Sequence, residues 1–431
     1  MTMAPRVFCA LLCCVLFAPP AAAQHLRDRI RELFTFGSCG RPLCLDGSVS
    51  AANGHGDHFL PDLIAGNSAV IGFLTDAIGL SAANTPISAS GGGVTYRFVG
   101  GLPVRTSESA GPVFAERAQT LGRGRFVLTG NLTGSSFRSL RGTPLDQLIL
   151  NFTHQDVGTP GLGDPLIEND VLEIRLGLQV NLLVSTLAVT YGISDAVDLG
   201  IAIPVVHTSL QGRSEGQVHP FGPTALHFFT GTPEDPGLRA TSATFGSATG
   251  IGDIALRVKA NLRSDERLGF AVMADARVPT GDERDLLGSG HLAIRALAIL
   301  SGRFGDFRPH ANLGYMLRTG ERRADALLAT IGFEQPLNPW TTIVLDLITE
   351  WETGESALEL PETVFFQFPF TRSVEPINLR NMHDHRVGGS LGFKFRTSDR
   401  GPRVVTNAVV PLRQGGLLPA VMWTGGLEFS F

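Results

Sequence analysis

Apolar and polar residues alternate with a period of two along most of the chain beyond residue 91. The last segment is the clearest case, and its apolar face is Val421, Trp423, Gly425, Leu427, Phe429 and Phe431. The residues between them, from Met422 to Ser430, are mostly small or polar. This alternation is typical of a β-strand whose two faces meet different surroundings.

We count about 14 segments of this kind, including Val94–Phe98 and Leu148–Phe152, and bacterial single-chain barrels have even strand numbers. A membrane sheet must close on itself, because no backbone group can face lipid unpaired. The pattern therefore predicts an all-β fold for residues 91–431. We expect a transmembrane antiparallel β-barrel of about 14 strands, with apolar side chains facing lipid and polar ones facing the lumen.

The alternation changes phase within the long segment that begins at Leu172. As far as Val180 the even-numbered residues are apolar, whereas from 187 to 191 the odd-numbered ones are. A β-bulge inserts one residue and moves the following side chains to the opposite face. We therefore expect a bulge at residues 182–186.

Short and long connections alternate between these segments. The short ones contain Asp195, Asp265, Gly305, Asn338 and residues 398–401, and the long ones include 157–170, 212–249, 282–290 and 354–383. Outer-membrane barrels have short periplasmic turns and long extracellular loops. This sorting favours a barrel over the alternative, a large secreted β-solenoid or sandwich whose apolar face would point inward.

Residues 1–24 have the features of a secretory signal peptide. Arg6 supplies the positive charge, Val7–Phe17 the apolar run, and Ala21–Ala23 the cleavage motif. The apolar run is too short to span a bilayer as a helix. We therefore expect an exported chain.

Two cysteines follow the predicted signal peptide, Cys39 and Cys44. An exported chain meets an oxidising compartment, where closely spaced cysteines pair. We expect a small disulfide loop rather than a metal site, because the sequence offers no further ligands nearby.

Residues 25–90 lack the strand alternation and contain two segments of helical spacing, 27–34 and 59–80. They could form a small cap that packs on its own, or a partly helical plug inside the barrel lumen. We expect the plug, because the next segment already has the pattern of a strand.

The chain has 35 basic and 40 acidic residues and a formal net charge of −5. This balance gives no argument for a nucleic-acid partner. Beyond the predicted signal peptide the sequence has no long apolar run, which argues against a transmembrane helix. The expected partners are outer-membrane lipid, the barrel assembly machinery through the strand that ends at Phe431, and a small-molecule solute.

Charged residues recur on the predicted lumenal faces of the strands. The candidates are Asp253, Arg257, Lys259, Asp275, Arg277, Arg295, Asp346, Glu350, Lys394 and Arg396. Arg263 is expected on the same side. Such residues could be paired side chains of a pore wall, or a ring of charges that sets solute preference.

Two of the long loops are rich in phenylalanine. The candidates are Phe228 and Phe229 in 212–249, and Phe365, Phe366, Phe368 and Phe370 in 354–383. Exposed apolar clusters can mark a binding site for a hydrophobic ligand. Alternatively, these loops fold over the barrel mouth and bury the rings against one another.

Few residues suggest chemistry. His55–His58 and His383–His385 could supply metal ligands, but polar clusters are common at loop edges, and we predict no metal. No motif places a nucleophile beside a base, so no catalytic triad is supported. The glycines of 246–252 open a strand rather than a helix and cannot form a phosphate loop. We expect no enzyme activity and no cofactor.

Three glycine-containing motifs carry a family resemblance, namely Tyr191–Pro204 (YGISDAVDLGIAIP), Gly250–Ile254 (GIGDI) and Arg277–Gly281 (RVPTG). Over about residues 111–431 the chain resembles the outer-membrane proteins grouped under the phenol-degradation meta-pathway. That family is similar in plan to the barrels that take up long-chain fatty acids and aromatic hydrocarbons, which carry an N-terminal hatch in a 14-stranded barrel. No ligand-binding residue of the family can be matched to a position here.

The resemblance implies a channel in the bacterial outer membrane that passes small hydrophobic or aromatic solutes by passive diffusion. Two other functions remain open on the sequence. The barrel could be an enzyme acting on lipids, or it could have a structural or adhesive function without transport.

Overall fold

The structure is a computed structural model, and it describes residues 24–36, 65–83, 96–99, 102–105, 114–154, 169–220, 227–232, 234–320, 324–354, 356, 358, 360–367, 370–398 and 401–431. The predicted signal peptide (apart from Gln24), Cys39 and Cys44 lie outside the described residues, as does the His55–His58 cluster.

Strands dominate the described part of the chain. The helices are α1 (Leu26–Glu32) and α2 (Ala65–Ala83). The strands are β1 (Tyr96–Val99), β2 (Leu102–Arg105), β3 (Phe126–Leu140), β4 (Thr143–Pro144), β5 (Leu148–Phe152), β6 (Val171–Gly192), β7 (Val197–His219), β8 (Thr230–Thr232), β9 (Asp235–Gly237), β10 (Arg239–Ile251), β11 (Ile254–Ser264), β12 (Leu268–Val278), β13 (Ala293–Gly302), β14 (Arg308–Arg318), β15 (Asp325–Asn338), β16 (Thr341–Thr353), β17 (Val364–Phe366), β18 (Arg372–Val374), β19 (Arg386–Arg396), β20 (Arg403–Pro411) and β21 (Leu417–Ser430).

Twelve strands form a closed antiparallel barrel. In order around the ring they are β3, β6, β7, β11, β12, β13, β14, β15, β16, β19, β20 and β21, and β21 pairs with β3 again. Three further strands, β4, β5 and β10, pair with members of the ring without belonging to it. The expectation of a closed all-β barrel is confirmed.

The ring has two strands fewer than the predicted count of about 14. The segment at 94–98 contributes β1, whose described pairing is a small hairpin with β2. The segment at 148–152 is β5, which pairs with the end of β6 outside the ring. Alternation shows that a strand has two different faces, but a strand at the side of a barrel has the same pattern as one within its wall.

The C-terminal strand closes the ring. β21 pairs with β3 along most of its length, with register shifts around Pro419. At the end of the seam the backbone N–H of Phe431 donates to the carbonyl of Phe126 at 2.9 Å, and their rings stack at 4.6 Å between centroids. Backbone and side-chain contacts together therefore join the two ends of the sheet.

Two strands share the long edge of β7. β10 pairs with its later part, down to Ile251 opposite Val205, and β11 pairs with its earlier part, from Ala255 opposite Ala202. β10 and β11 thus run as one wall strand that is interrupted at residues 252–253. The earlier part of β6 and the later part of β7 extend the wall at the end of the barrel that carries the long loops.

The outer face of the ring is an apolar belt. On β6, β7, β11 and β16 it includes Leu187, Val189, Leu199, Ile201, Leu256, Val258, Leu345 and Leu347, all exposed. Exposed aromatic rings lie near its two ends: Phe304, Phe307 and Trp340 by the short turns, and Tyr315 and Trp351 by the long loops. A closed ring with an apolar belt and aromatic girdles has the form that a bilayer requires.

The predicted bulge at 182–186 is wrong. β6 pairs with both β3 and β7 through this region without a register shift. Its even-numbered side chains face inward throughout, from buried Leu172 and Leu178 to Thr186 and Thr190. The apolar residues change face because the surroundings change: beside lipid the outside is apolar, and beyond the belt the inside is apolar and the outside meets water.

An apolar core fills the barrel interior at the long-loop end. α1 lies on the inward faces of β7 and β10, with Leu26 and Ile30 buried. A helix of this length is not stable alone in water, and hydrogen bonds hold it. Ser214 Oγ donates to the carbonyl of Leu33 at 2.5 Å, and Ser242 Oγ to that of Glu32 at 3.0 Å.

Two glycines of β7 permit this close approach. A Cβ at Gly212 would lie 2.5 Å from Leu33 Cδ1, and one at Gly216 would lie 3.1 Å from the ring of Phe36. None of the helices in the described ranges is long and apolar enough to cross a membrane.

Replacing Ile201 with arginine should destabilise the folded barrel by about 2–4 kcal/mol, because this side chain lies within the apolar belt. Replacing Gln211 with arginine, on the same face of β7 beyond the belt, should change stability by less than about 0.5 kcal/mol. Urea unfolding in lipid vesicles measures both values. Equal losses for the two variants would contradict the position of the belt.

Candidate functional site

The chain crosses the lumen just before it enters β3. This inner segment, Phe114–Gly124, lies outside the named strands, and inward-facing side chains of the wall bind much of its backbone. Its last residue, Gly124, donates its N–H to the Gly192 carbonyl of β6 at 2.8 Å. The N–H of Glu116 donates to Asn312 Oδ1 at 2.8 Å, and Asn312 Nδ2 donates back to the carbonyl of Glu116 at 3.0 Å. Buried backbone groups need such partners, so the wall side chains fix the path of the segment.

Further hydrogen bonds continue along the inner segment. The N–H of Ala118 donates to Ser301 Oγ at 2.8 Å, and Asn261 Nδ2 donates to the Ala118 carbonyl at 2.7 Å. The N–H of Leu121 donates to Asp198 at 3.1 Å. The segment therefore contacts β7, β11, β13 and β14, and it occupies the lumen at the short-turn end.

A network of buried charges surrounds Glu116. Its carboxylate lies 3.7 Å from Arg257 Nη1 and 3.6 Å from Lys259 Nζ. Lys259 also lies 3.7 Å from Asp198 on the neighbouring strand. Charges buried in a membrane protein require partners, and here the inner segment supplies one of them.

Asp275 lies at the centre of three arginines. Its carboxylate accepts a hydrogen bond from Arg257 Nε at 2.7 Å, and it lies 3.2 Å from Arg295 Nη2. The nearest contact to Arg277 is longer, 3.7 Å from Nε. Asp275 thus holds three cations within one small region of the wall.

A second set of buried ion pairs lies on the other side of the lumen. Arg117 of the inner segment pairs with Glu334. Glu428 of the terminal strand accepts hydrogen bonds from Lys394 at 3.2 Å and from Arg403 at 2.8 Å. These pairs join the inner segment and the closing strand to the rest of the wall.

A cavity of about 150 Å³ lies between the inner segment and strands β11 to β16. Its polar lining includes Glu116, Arg257, Arg277, Arg295, Asn312 and Glu350. Its apolar lining includes Phe114, Met273, Leu297, Met316, Leu328 and Ile348. The lining therefore combines charged side chains with hydrocarbon.

Arg141 joins the loops at the other end of the barrel. It is fully buried, and its guanidinium binds the Asp384 carboxylate through Nε at 2.8 Å and Nη2 at 3.0 Å. Asp384 also accepts the N–H of Gly416, and Arg141 Nη1 donates to the Leu358 carbonyl. The ion pair of Arg141 and Asp384 therefore connects the turn after β3 with the loop before β19 and the loop before β21.

The histidines beside Asp384 contact each other and neighbouring groups. Asp384 is bound to Arg141, and the rings of His383 and His385 stack at 5.2 Å between centroids. Burial, followed by the charge of Arg413, lowers the pKa of His385. His385 is therefore neutral at pH 7, and its Nδ1 accepts the N–H of Glu352 at 3.2 Å.

Among the described residues, one group could hold a metal ion. His25, Asp282 and Asp285 place three ligand atoms within 4.8 Å of one another, where α1 meets the loop after β12. His25 Nδ1 and Asp285 Oδ1 already form an ion-pair contact at 3.1 Å.

The structure places most of the predicted lumenal charges on the inward face. Asp253, Arg257, Lys259, Asp275, Arg277, Asp346 and Lys394 are buried there, and Arg295, Glu350 and Arg396 are partly exposed. Arg257, Arg277, Arg295 and Glu350 come together at the cavity. Asp346 instead binds His310 at 2.7 Å, and Lys394 binds Glu428.

Two predicted lumenal residues have other positions or contacts. Arg263 is 81% exposed, because a register shift between Asn261 and Arg263 ends the inward alternation. Asp253 lies at the break between β10 and β11, where it accepts the N–H groups of Gly281 and Ser289. The GIGD motif therefore forms a joint between the wall and the loop after β12.

The phenylalanines of the long loops divide into two groups. Phe228, Phe229 and Phe366 are buried, and Phe229 packs against Phe36 with 5.3 Å between centroids. Phe365 and Phe370 are exposed. Phe368 lies outside the described residues. The interpretation that the loops bury their rings therefore applies to the first group, and Phe365 and Phe370 remain exposed.

Sequence reasoning missed Glu116 and Arg117. They lie in a stretch without alternation or a recognisable motif, and pattern analysis assigned the lumen filling to residues 25–90. The one available signal is the pair of adjacent charges in a non-strand segment directly before a membrane strand.

Comparison with known proteins supports the family resemblance. A family model described as "Putative MetA-pathway of phenol degradation" matches residues 172–355, which is less than half of the chain. The resemblance predicted from the strand motifs is confirmed over this range. No curated protein matches the chain.

Several solved outer-membrane proteins match the chain at low identity and low TM-score. The COG4313 outer membrane channel from Pseudomonas putida F1 is 12% identical, with a TM-score of 0.40, and the match covers 73% of this chain and 98% of that one. A deletion mutant of the TodX monoaromatic hydrocarbon channel is 10% identical, with a TM-score of 0.37, covering 73% and 92%. A Pseudomonas aeruginosa FadL homologue is 12% identical, with a TM-score of 0.30, covering 71% and 89%.

Replacing Asp275 with asparagine should lower the free energy of unfolding by about 3–5 kcal/mol, because three arginines would lose their shared carboxylate. Replacing the exposed turn residue Asp306 with asparagine should change it by less than about 0.5 kcal/mol. Urea unfolding in vesicles compares the two variants. A neutral Asp275 variant would contradict the role of this charge network.

Replacing Arg141 with methionine should loosen the long loops while the barrel stays folded, because Asp384 would remain buried without its bidentate partner. Limited proteolysis should then cut within residues 354–385 at least about tenfold faster than in the parent protein. The matched control is the exposed Arg138, replaced in the same way. Equal cleavage rates in both variants would show that Arg141 does not hold the loops.

Proposed function

We propose that this protein is a bacterial outer-membrane channel that passes small hydrophobic or aromatic solutes by passive diffusion. The observation that carries the proposal is the partly apolar cavity inside the lumen of a closed barrel with an apolar outer belt. A closed barrel in a bilayer gives a solute a path through its interior, and a cavity on that path is a place where the solute can rest.

The family match supports the solute class. The matched family is described by a pathway of phenol degradation, and phenols are one-ring aromatic compounds. The exposed rings of Phe365 and Phe370 at the long-loop end offer a first contact for such molecules. On this proposal the C-terminal strand engages the assembly machinery, and the long loops face the cell exterior.

On this proposal the channel is closed in this conformation. Two features support it: the core around α1 and α2 lies at the long-loop end, and the inner segment lies in the lumen at the short-turn end. We propose residues 25–90 as a plug and Phe114–Gly124 as a second constriction. Passage then requires movement of both, on the microsecond-to-millisecond timescale of such segments.

The proposed transport can be measured in a Gram-negative host that makes the protein in its outer membrane. Initial uptake of labelled phenol and toluene should exceed that of cells with an empty vector. Single-channel recordings in planar bilayers should show larger conductance steps after deletion of residues 25–90. Absence of both effects would leave a structural or enzymatic barrel.

A disulfide can test whether the inner segment moves. Ala118 and Ser301 are in hydrogen-bond contact, so a double variant, Ala118→Cys with Ser301→Cys, should join segment and wall on oxidation. Uptake should then fall at least about fivefold and recover on reduction. The two single cysteine variants are the controls. Unchanged uptake in the cross-linked protein would show that solute does not need the segment to move.

A further inference from the structure

The lining of the lumenal cavity is of two chemical kinds. Phe114, Met273 and Leu297 contribute hydrocarbon, and Arg277 and Arg295 contribute charged side chains. A purely hydrocarbon solute would leave the charged groups without a partner, at a cost in desolvation. The lining therefore matches a molecule with an apolar body and one polar end.

Arg295 lines this cavity and carries a hydrogen-bond donor without an acceptor among the described residues. Its Nη2 contacts Asp275 at 3.2 Å. Its Nε is buried and has no hydrogen-bond acceptor among the described residues. Arg277 also remains available, because its contact to Asp275 at 3.7 Å is longer than a hydrogen bond. Buried donors of this kind require an acceptor.

The carboxylates at the cavity are unevenly shared. Three arginines, Arg257, Arg277 and Arg295, lie around the single carboxylate of Asp275. An anion bound between Arg277 and Arg295 would give these guanidinium groups a second acceptor.

The size of the cavity limits its occupant. A space of about 150 Å³ is the volume at which an engineered protein cavity holds benzene. One aromatic ring with a small substituent therefore fits, whereas a fatty acid or a fused ring system exceeds the space.

We propose that the cavity is a binding site for a one-ring aromatic carboxylate. The ring lies against Phe114, Met273 and Leu297, and the carboxylate accepts hydrogen bonds from Arg295 and Arg277. This deepens the proposed function and rests on it, since it names an anionic aromatic acid as the solute that pauses in the lumen. Arg295 then sets specificity between the acid and its neutral analogues.

Calorimetric titration of the full chain in detergent tests the site with two probes of equal shape, benzoate and the neutral benzamide. Benzoate should bind at least about tenfold more tightly, the effect of one charge-assisted hydrogen bond. Arg295→Met should weaken benzoate binding at least about tenfold and leave benzamide within about twofold. The control is Arg263→Met, because that arginine is exposed outside the cavity.

Each outcome decides the proposal. Equal affinity for the two probes, no benzoate binding, or an Arg295→Met variant that retains benzoate affinity would overturn it. If Arg295→Met does not give a folded barrel by circular dichroism, Arg277→Met is measured instead, with the same expected loss. Benzoate binding without uptake by cells would refute the channel and keep the site, whereas uptake without preference for the acid would keep the channel and refute the site.

Discussion

Every backbone N–H and C=O group that lies in a bilayer must find a partner within the protein, and the rest of this structure depends on that constraint. The twelve strands meet it only because β21 returns to β3 and removes both free edges. The stacked rings of Phe126 and Phe431 hold the end of this seam. The segments that do not belong to the ring can then lie either in the lumen or beyond the membrane.

The lumen accommodates such chain in two chemically distinct ways. Beyond the belt, the extended walls of β6 and β7 are apolar on the inside, and α1 packs there as in a soluble protein core. Within the belt the inner wall is polar, and the inner segment is held by side chains such as Asn312 and Ser301. The same two strands serve both regions, because their inward residues change from apolar to polar where the outside changes from water to lipid.

The cavity lies between the inner segment, which contributes Phe114 and Glu116, and a wall that contributes both charged and apolar side chains. Asp275 keeps the arginines of the wall close together, and the ion pairs of Glu116 fix the position of the segment. The binding proposal and the transport proposal thus depend on one arrangement: a site beside a segment whose hydrogen bonds must break for the path to open. Many of these hydrogen bonds join the segment to side chains of the wall, whereas neighbouring wall strands are joined by backbone ladders.

The amino-acid sequence by itself determined the barrel class, the lipid-facing and lumen-facing sides of most strands, and the inward position of charges such as Arg257, Lys259 and Asp275, because a period of two follows directly from strand geometry. It could not give the ring of twelve, since β5 has the same alternation as a wall strand. Nor could the sequence show whether the change of phase along β6 comes from a bulge or from a change in the surroundings of the strand. Only the tertiary structure decided that Glu116 and Arg117 enter the lumen, and that four of the predicted charges, Arg257, Arg277, Arg295 and Glu350, meet at one cavity. Those outcomes depend on how the ring closes and on which strands face one another across the lumen. The local alternation of apolar and polar residues determines neither.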